Sequence, residues 1–147
     1  MEERYYLDTS ALVKRYVEEP GSEVVDEVFS RAHAGEVTIV LSYWNVGEAA
    51  VVFDKYEKRV GLDAAGVLRT MLRELRMLAR ARSAILVGVT PRILRRAVVL
   101  VLKHHVYVAD ALQVASAKRA GARRFLTGDE ELAEVAEAEG LEVTLTG

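Results

Sequence analysis

Apolar positions along the chain follow two alternating rhythms. Short runs rich in β-branched and aromatic residues, at 4–7, 37–41, 84–89, 124–126 and 141–145, carry no long polar interruption and read as strands buried on both faces. Between them, apolar residues recur at helical spacing. Val24, Val25, Val28 and Phe29 make one stripe, and Leu68, Met71, Leu72, Leu75 and Leu78 make another. Punctuation agrees with these periods. Asp8-Thr9-Ser10 supplies cap residues before a helix over 11–17; Pro20-Gly21 breaks the chain and Ser22 caps the next helix, which Gly35 ends. Helices are expected over 43–59, from Asp63 to about 82, from Thr90-Pro91 to about 104, over 108–120 and over 129–139. Strands alternating with helices throughout predict an α/β fold of three layers: a five-stranded parallel sheet with helices on both faces and right-handed crossovers. No linker or internal repeat divides the 147 residues, so one domain spanning 1–147 is expected.

Composition narrows the chemistry. There is no cysteine, which removes disulfides, thiol nucleophiles and thiolate metal sites, so any metal site must be rich in oxygen. No apolar run approaches the roughly 20 residues that span a bilayer, and Met1-Glu2-Glu3-Arg4 lacks a basic-then-apolar leader pattern, so a cytoplasmic location is expected. Asn45 and Gln113 are the only amide side chains, a usage that leans toward a heat-adapted chain. The net charge of −2 predicts no overall attraction to a polyanion, but charge is unevenly placed. Residues 62–96 hold eight arginines against Asp63 and Glu74, whereas 129–147 hold seven acids and no base.

Four acids stand out by position. Asp8 directly follows the first strand and Asp129 follows the fourth, where parallel α/β sheets bind their ligands. Each alone is equally well explained as a helix cap. Glu48 has Trp44, Val51 and Val52 one turn away, and Asp110 lies between Tyr107 and Val114 in a mostly apolar stretch, so both project from apolar faces and require partners. Four converging carboxylates with few cations beside them would repel one another, and a divalent cation resolves that repulsion. All-oxygen ligation suits Mg²⁺ or Mn²⁺, and phosphodiester hydrolysis is the chemistry such ions support.

The run Leu7-Asp8-Thr9-Ser10-Ala11-Leu12-Val13-Lys14 resembles the opening of PIN-domain nucleases. Ala109-Asp110-Ala111 is similar to the family's central Asp motif, Thr127-Gly128-Asp129 to its Thr-x-Asp motif, and Glu48 lies on the helix after the second strand, as in the family. The resemblance implies a metal-dependent ribonuclease in which Asp8, Glu48, Asp110 and Asp129 ligate Mg²⁺ or Mn²⁺. It makes Ser10 and Thr127 orient carboxylates or water, with Glu131 a further acid. Compact chains opening this way are similar to VapC-type toxins of toxin–antitoxin pairs, which implies RNA as substrate and a small antitoxin protein as partner.

Other features have plainer readings. His33, His104 and His105 stand apart from the acid motifs and fit surface or helix-end positions. Tyr43, Trp44, Phe53 and Tyr56 cluster on one helix and point to core packing or a homodimer contact rather than base stacking. Arg69, Arg73, Arg76 and Arg80, spaced by four, three and four, line one helix face, either as a solvated surface or as a track for RNA phosphates that Arg92, Arg95 and Arg96 could extend. A haloacid-dehalogenase-like phosphatase also places Asp after its first strand, but its Asp-x-Asp general acid is replaced here by Ser10. A non-catalytic module that binds metal or RNA remains the rival from another class.

Overall fold

The computed structural model describes residues 3–147, so the Met1-Glu2 start used in the leader argument lies outside the described residues. Five strands, β1 (Glu3–Leu7), β2 (Val37–Ser42), β3 (Ala84–Val87), β4 (Arg124–Thr127) and β5 (Glu142–Leu145), form one sheet in the order β3-β2-β1-β4-β5. Every pairing is parallel. The helices are α1 (Thr9–Leu12), α2 (Ser22–His33), α3 (Tyr43–Val60), α4 (Ala64–Arg80), α5 (Pro91–His104), α6 (Val108–Arg119) and α7 (Glu130–Ala138).

Alternation along the strands builds the three layers. Leu7, Ile39, Leu41 and Leu126 face a core filled by α1 to α4, including Phe29, Phe53, Met71 and Leu75. Their neighbours Tyr6, Val40 and Phe125 face the opposite core, filled by Ala97, Leu112, Ala115 and Val135 of α5 to α7. Tyr6 and Phe125 stack there with ring centroids 5.2 Å apart. Both sheet faces are covered, which is why β2 is buried at all six positions and carries no long polar interruption. Among the described residues, no single helix is long and apolar enough to cross a membrane.

The connections leaving β1 and β2 build toward β3, while the crossover from β3 returns to the far side of β1, so strand order reverses between β1 and β4. The crevice at the carboxyl ends of β1 and β4 is therefore where the fold places a ligand.

One element differs from its expectation. The helix expected over 11–17 is a single turn, α1, followed by a 3-10 turn over Val13–Arg15. Asp8 starts it early by accepting from the Ala11 N–H, and the tight turn ends in Tyr16, whose N–H donates to the Val13 carbonyl. The bend sends Arg15 across to Glu74 of α4, 2.8 Å away.

Candidate active site

Asp8 ends β1 and caps α1. Its Oδ1 accepts from the Ala11 N–H at 2.9 Å and from the Ser10 hydroxyl at 2.7 Å; its Oδ2 accepts from the Thr127 hydroxyl at 2.5 Å. Parallel pairing of Leu7 with Leu126 brings Thr127 alongside it. The same two hydroxyls hold the β4 loop: Ser10 accepts from the Gly128 N–H at 2.8 Å and Thr127 from the Asp129 N–H at 3.0 Å. Asp129 in turn caps α7, accepting from the N–H groups of Glu131 and Leu132. Both acids are thus caps, as the plainer reading held, and Ser10 and Thr127 couple the two caps to each other.

Glu48 and Asp110 approach from opposite faces of the sheet. Glu48, on the second turn of α3, is half-buried, and its Oε1 accepts from the Thr9 hydroxyl at 2.6 Å and from Gln113 Nε2 at 3.0 Å. Asp110, in the first turn of α6, is also half-buried, and among the described residues its carboxylate accepts no hydrogen bond.

The electrostatics follow from this arrangement. Burial pushes the Asp8 carboxyl up from its ordinary 3.8 to about 6; the hydrogen bonds from Thr127, Ser10 and Ala11 oppose the rise and the charge of Asp129 adds to it. Burial also raises Asp110, with repulsion from Asp129, Glu48 and Glu131 behind it. Asp110 therefore feels three other acids. Among the described residues none of Asp8, Glu48, Asp110, Asp129 or Glu131 forms an ion pair with a lysine, arginine or histidine.

A hard divalent cation fits this donor set, because it offers only carboxylate and hydroxyl oxygens in a crevice whose negative charge is uncompensated. Among the described residues no three acids or histidines stand close enough to form a ready-made cage, so the acids meet at the range of Coulombic repulsion rather than of shared ligation. Mg²⁺ keeps several waters and takes few protein ligands, a demand that such an open arrangement satisfies.

The structure brings Asp8, Ser10, Glu48, Asp110, Thr127 and Asp129 to one end of the sheet, with Glu131 near enough to repel Asp110. The histidines lie elsewhere. His33 ends α2 against Glu74 at 2.9 Å, His104 ends α5 against Glu139 at 2.7 Å, and His105 is the left-handed cap of α5. The aromatic cluster of α3 divides: Phe53 is core, Tyr56 donates to Glu19, and Tyr43 and Trp44 remain 58% and 46% exposed.

Sequence reasoning missed Thr9, Asn45 and Gln113. Asn45 is fully buried, and its Oδ1 completes a capping box by accepting from the Ser42 N–H at 2.7 Å. Its Nδ2 donates to Thr9 Oγ1 at 2.9 Å and to Gln113 Oε1 at 2.8 Å. Tyr6 donates to Gln113 Oε1 at 2.6 Å. A signal was available: the only two amides in the chain stand three residues before Glu48 and three after Asp110.

A family model described as PIN domain matches residues 5–138. No curated protein matches the sequence. Three solved structures are similar in fold. PAE2754 from Pyrobaculum aerophilum is 18% identical with a TM-score of 0.68, over 97% of this chain and 92% of that one. VapC20 of Mycobacterium tuberculosis, described as a Sarcin-Ricin loop cleaving toxin, is 17% identical with a TM-score of 0.62, over 95% of this chain and 98% of that one. VapBC2 from Rickettsia felis, bound to a DNA fragment from its promoter, is 14% identical with a TM-score of 0.65, over 98% of this chain and 99% of that one.

Proposed function

Because the chain belongs to the PIN-domain family, a family of nucleases, we propose that it is a Mg²⁺- or Mn²⁺-dependent endoribonuclease and the toxin of a type II toxin–antitoxin pair. One observation carries the reading: carboxylates that follow β1 and β4 and stand on α3 and α6 gather at the strand-order reversal, and among the described residues none of them forms an ion pair. The toxin assignment draws on the neighbours, one described as a Sarcin-Ricin loop cleaving toxin and another as a toxin–antitoxin complex from Klebsiella pneumoniae. A small antitoxin protein and a homodimer belong to the same proposal, with Tyr43 and Trp44 as exposed surface for a protein contact.

A bound Mg²⁺ or Mn²⁺ supplies Lewis acidity to a phosphate oxygen and a more acidic water. Asp8, Glu48, Asp110 and Asp129 are the residues that would hold it. Ser10 and Thr127 keep Asp8 in one rotamer by donating to both of its oxygens. That duty also argues against the phosphatase alternative, since the Ser10 hydroxyl is committed to Asp8 and to Gly128.

Attraction of RNA is assigned to α4. Arg69, Arg73, Arg76 and Arg80 are exposed and unpaired among the described residues, while Glu74 on the same helix is occupied by Arg15, Tyr16 and His33. The helix therefore presents positive charge alone. Arg76 and Tyr43 line one groove, which runs from α4 to the first residue of α3, at the carboxyl end of β2.

The test is cleavage of RNA by the purified chain in Mn²⁺ and in EDTA, with the cut ends sequenced. Asp8→Asn, Glu48→Gln and Asp110→Asn are each expected to fall to background in Mn²⁺ while remaining folded, because each removes a charge without changing volume. Asp129→Asn should retain part of the activity, since Asp129 is exposed and its cap geometry survives in Asn. Metal-dependent binding of RNA without cleavage would favour the non-catalytic module, and wild-type cleavage by Asp8→Asn would remove the site assignment.

A further inference from the structure

The buried network beneath Glu48 has a fixed direction of donation. The Ser42 N–H occupies Asn45 Oδ1, so Nδ2 faces Thr9 and Gln113. Gln113 Oε1 receives both Asn45 Nδ2 and the Tyr6 hydroxyl, so its own Nε2 faces Glu48. Thr9 Oγ1 accepts from Asn45 and has one proton left, which it gives to Glu48. Both amide orientations are thereby set, starting from a backbone N–H that cannot turn, while the Tyr6 hydroxyl lies 2.6 Å from Gln113 Oε1 and 3.2 Å from Asn45 Oδ1.

Both terminal donors end on the same atom, Glu48 Oε1, and among the described residues Oε2 receives none. A network that served packing alone would close on itself, and apolar side chains of the same shape would fill the space at no greater cost. This one ends on a carboxylate at the mouth of the acidic crevice. We infer that Thr9, Asn45 and Gln113 are positioning residues that lock the Glu48 carboxylate, with Oε1 occupied and Oε2 left free toward a divalent cation.

The inference rests on the metal-dependent reading above, and its test separates the two. Thr9→Val removes one donor from Glu48 and one acceptor from Asn45 at a half-exposed position with little change in shape, and Thr9→Ser keeps both contacts. Gln113→Met removes the other donor and takes away the acceptor that Tyr6 and Asn45 share, so it should melt lower in EDTA. Calorimetric titration of the full chain with Mn²⁺ alone, without RNA, should show affinity roughly 10-fold or more weaker for Thr9→Val and Gln113→Met, and near wild type for Thr9→Ser. Cleavage at saturating Mn²⁺ should show kcat lowered in the Val and Met variants with KM for RNA unchanged. If Gln113→Met fails to fold, the Val and Ser pair at Thr9 decides alone. Folded Thr9→Val with wild-type Mn²⁺ affinity overturns the positioning role. Wild type that takes up no Mn²⁺ overturns the metal reading, and the positioning role with it.

Discussion

Two kinds of carboxylate occupy this chain, and their surroundings are opposites. Glu74 and Glu139 are anchored by cations, Glu74 by Arg15 and Glu139 by Lys103 and Lys118, with His33 and His104 hydrogen-bonded beside them. The Arg15, His33 and Tyr16 hydrogen bonds overcome burial and hold Glu74 down to about 2, and the Lys103, His104 and Lys118 contacts hold Glu139 at about 2. Asp8 and Asp110 form no ion pair among the described residues, and both are pushed up, Asp8 to about 6. The first pair ties helices together: Glu74 joins α4 to α2 and to the turn after α1, and Glu139 joins the end of α7 to α5 and α6. The second pair stands at the strand-order reversal, where the fold leaves room for a ligand. The carboxylates that tie helices together bring their own cations, and the pair proposed to hold a metal ion forms no ion pair among the described residues.

The contrast predicts an unusual dependence on pH. Asp8 binds its proton more tightly in the folded than in the unfolded chain, so in EDTA its penalty is fully present above about pH 6. That penalty is relieved as pH falls toward 3.8, a gain of up to about 3 kcal/mol, and Asp110 acts in the same direction. Glu74 and Glu139 have the opposite sign. Their stabilisation is intact above 4.5 and is lost as pH falls from there through about 2. The metal-free chain is therefore expected to melt highest near pH 4–5, and saturating Mn²⁺ should move that maximum toward neutrality. Melting curves from pH 3 to 8, with and without metal, check both parts.

Substitution sharpens the comparison next. Glu139→Gln keeps the shape but removes the charge that Lys103 and Lys118 share, and about 2 kcal/mol of lost charge-assisted hydrogen bonding lowers the melting temperature by roughly 6 °C at pH 7. Metal should not restore it. A Glu139→Gln variant that melts at the wild-type temperature would break the structural half of the comparison.

The smallest effect belongs to the arginines of α4, which have no acid to answer. Arg73→Ala with Arg76→Ala should weaken RNA binding across sequences and flatten the dependence of log affinity on log salt by about 0.7 per lost phosphate contact. Cleavage at saturating RNA should survive. Parallel salt plots of equal affinity would return this face to solvent.

Much of this was legible in the sequence because the signals were local. Buried parallel strands read as apolar runs, and caps such as Thr90-Pro91 and Asp63 fixed helix starts within a residue. Asp8, Asp110 and Asp129 announced themselves by position on elements of known type. Two features were not legible. The early end of α1 accompanies the contact of Arg15 with Glu74, 59 residues away. The orientation of Glu48 depends on Thr9 and Gln113, 39 and 65 residues away, and nothing in its own helix shows them. Its apolar neighbours suggested burial, whereas Val51 is exposed and Glu48 is half-buried and hydrogen-bonded. The scarcity of amides pointed to a heat-adapted composition, yet both amides lie at the site.

The most direct test of the open-site account compares wild type with Asp110→Asn by melting at pH 7, first in EDTA and then in saturating Mn²⁺. In EDTA the variant should melt above wild type, because one of four mutually repelling acids has lost its charge. In Mn²⁺ wild type should gain more than the variant, by up to about 2.7 kcal/mol at a hundredfold excess over its Kd. Equal Mn²⁺-induced shifts in the two proteins would contradict the account.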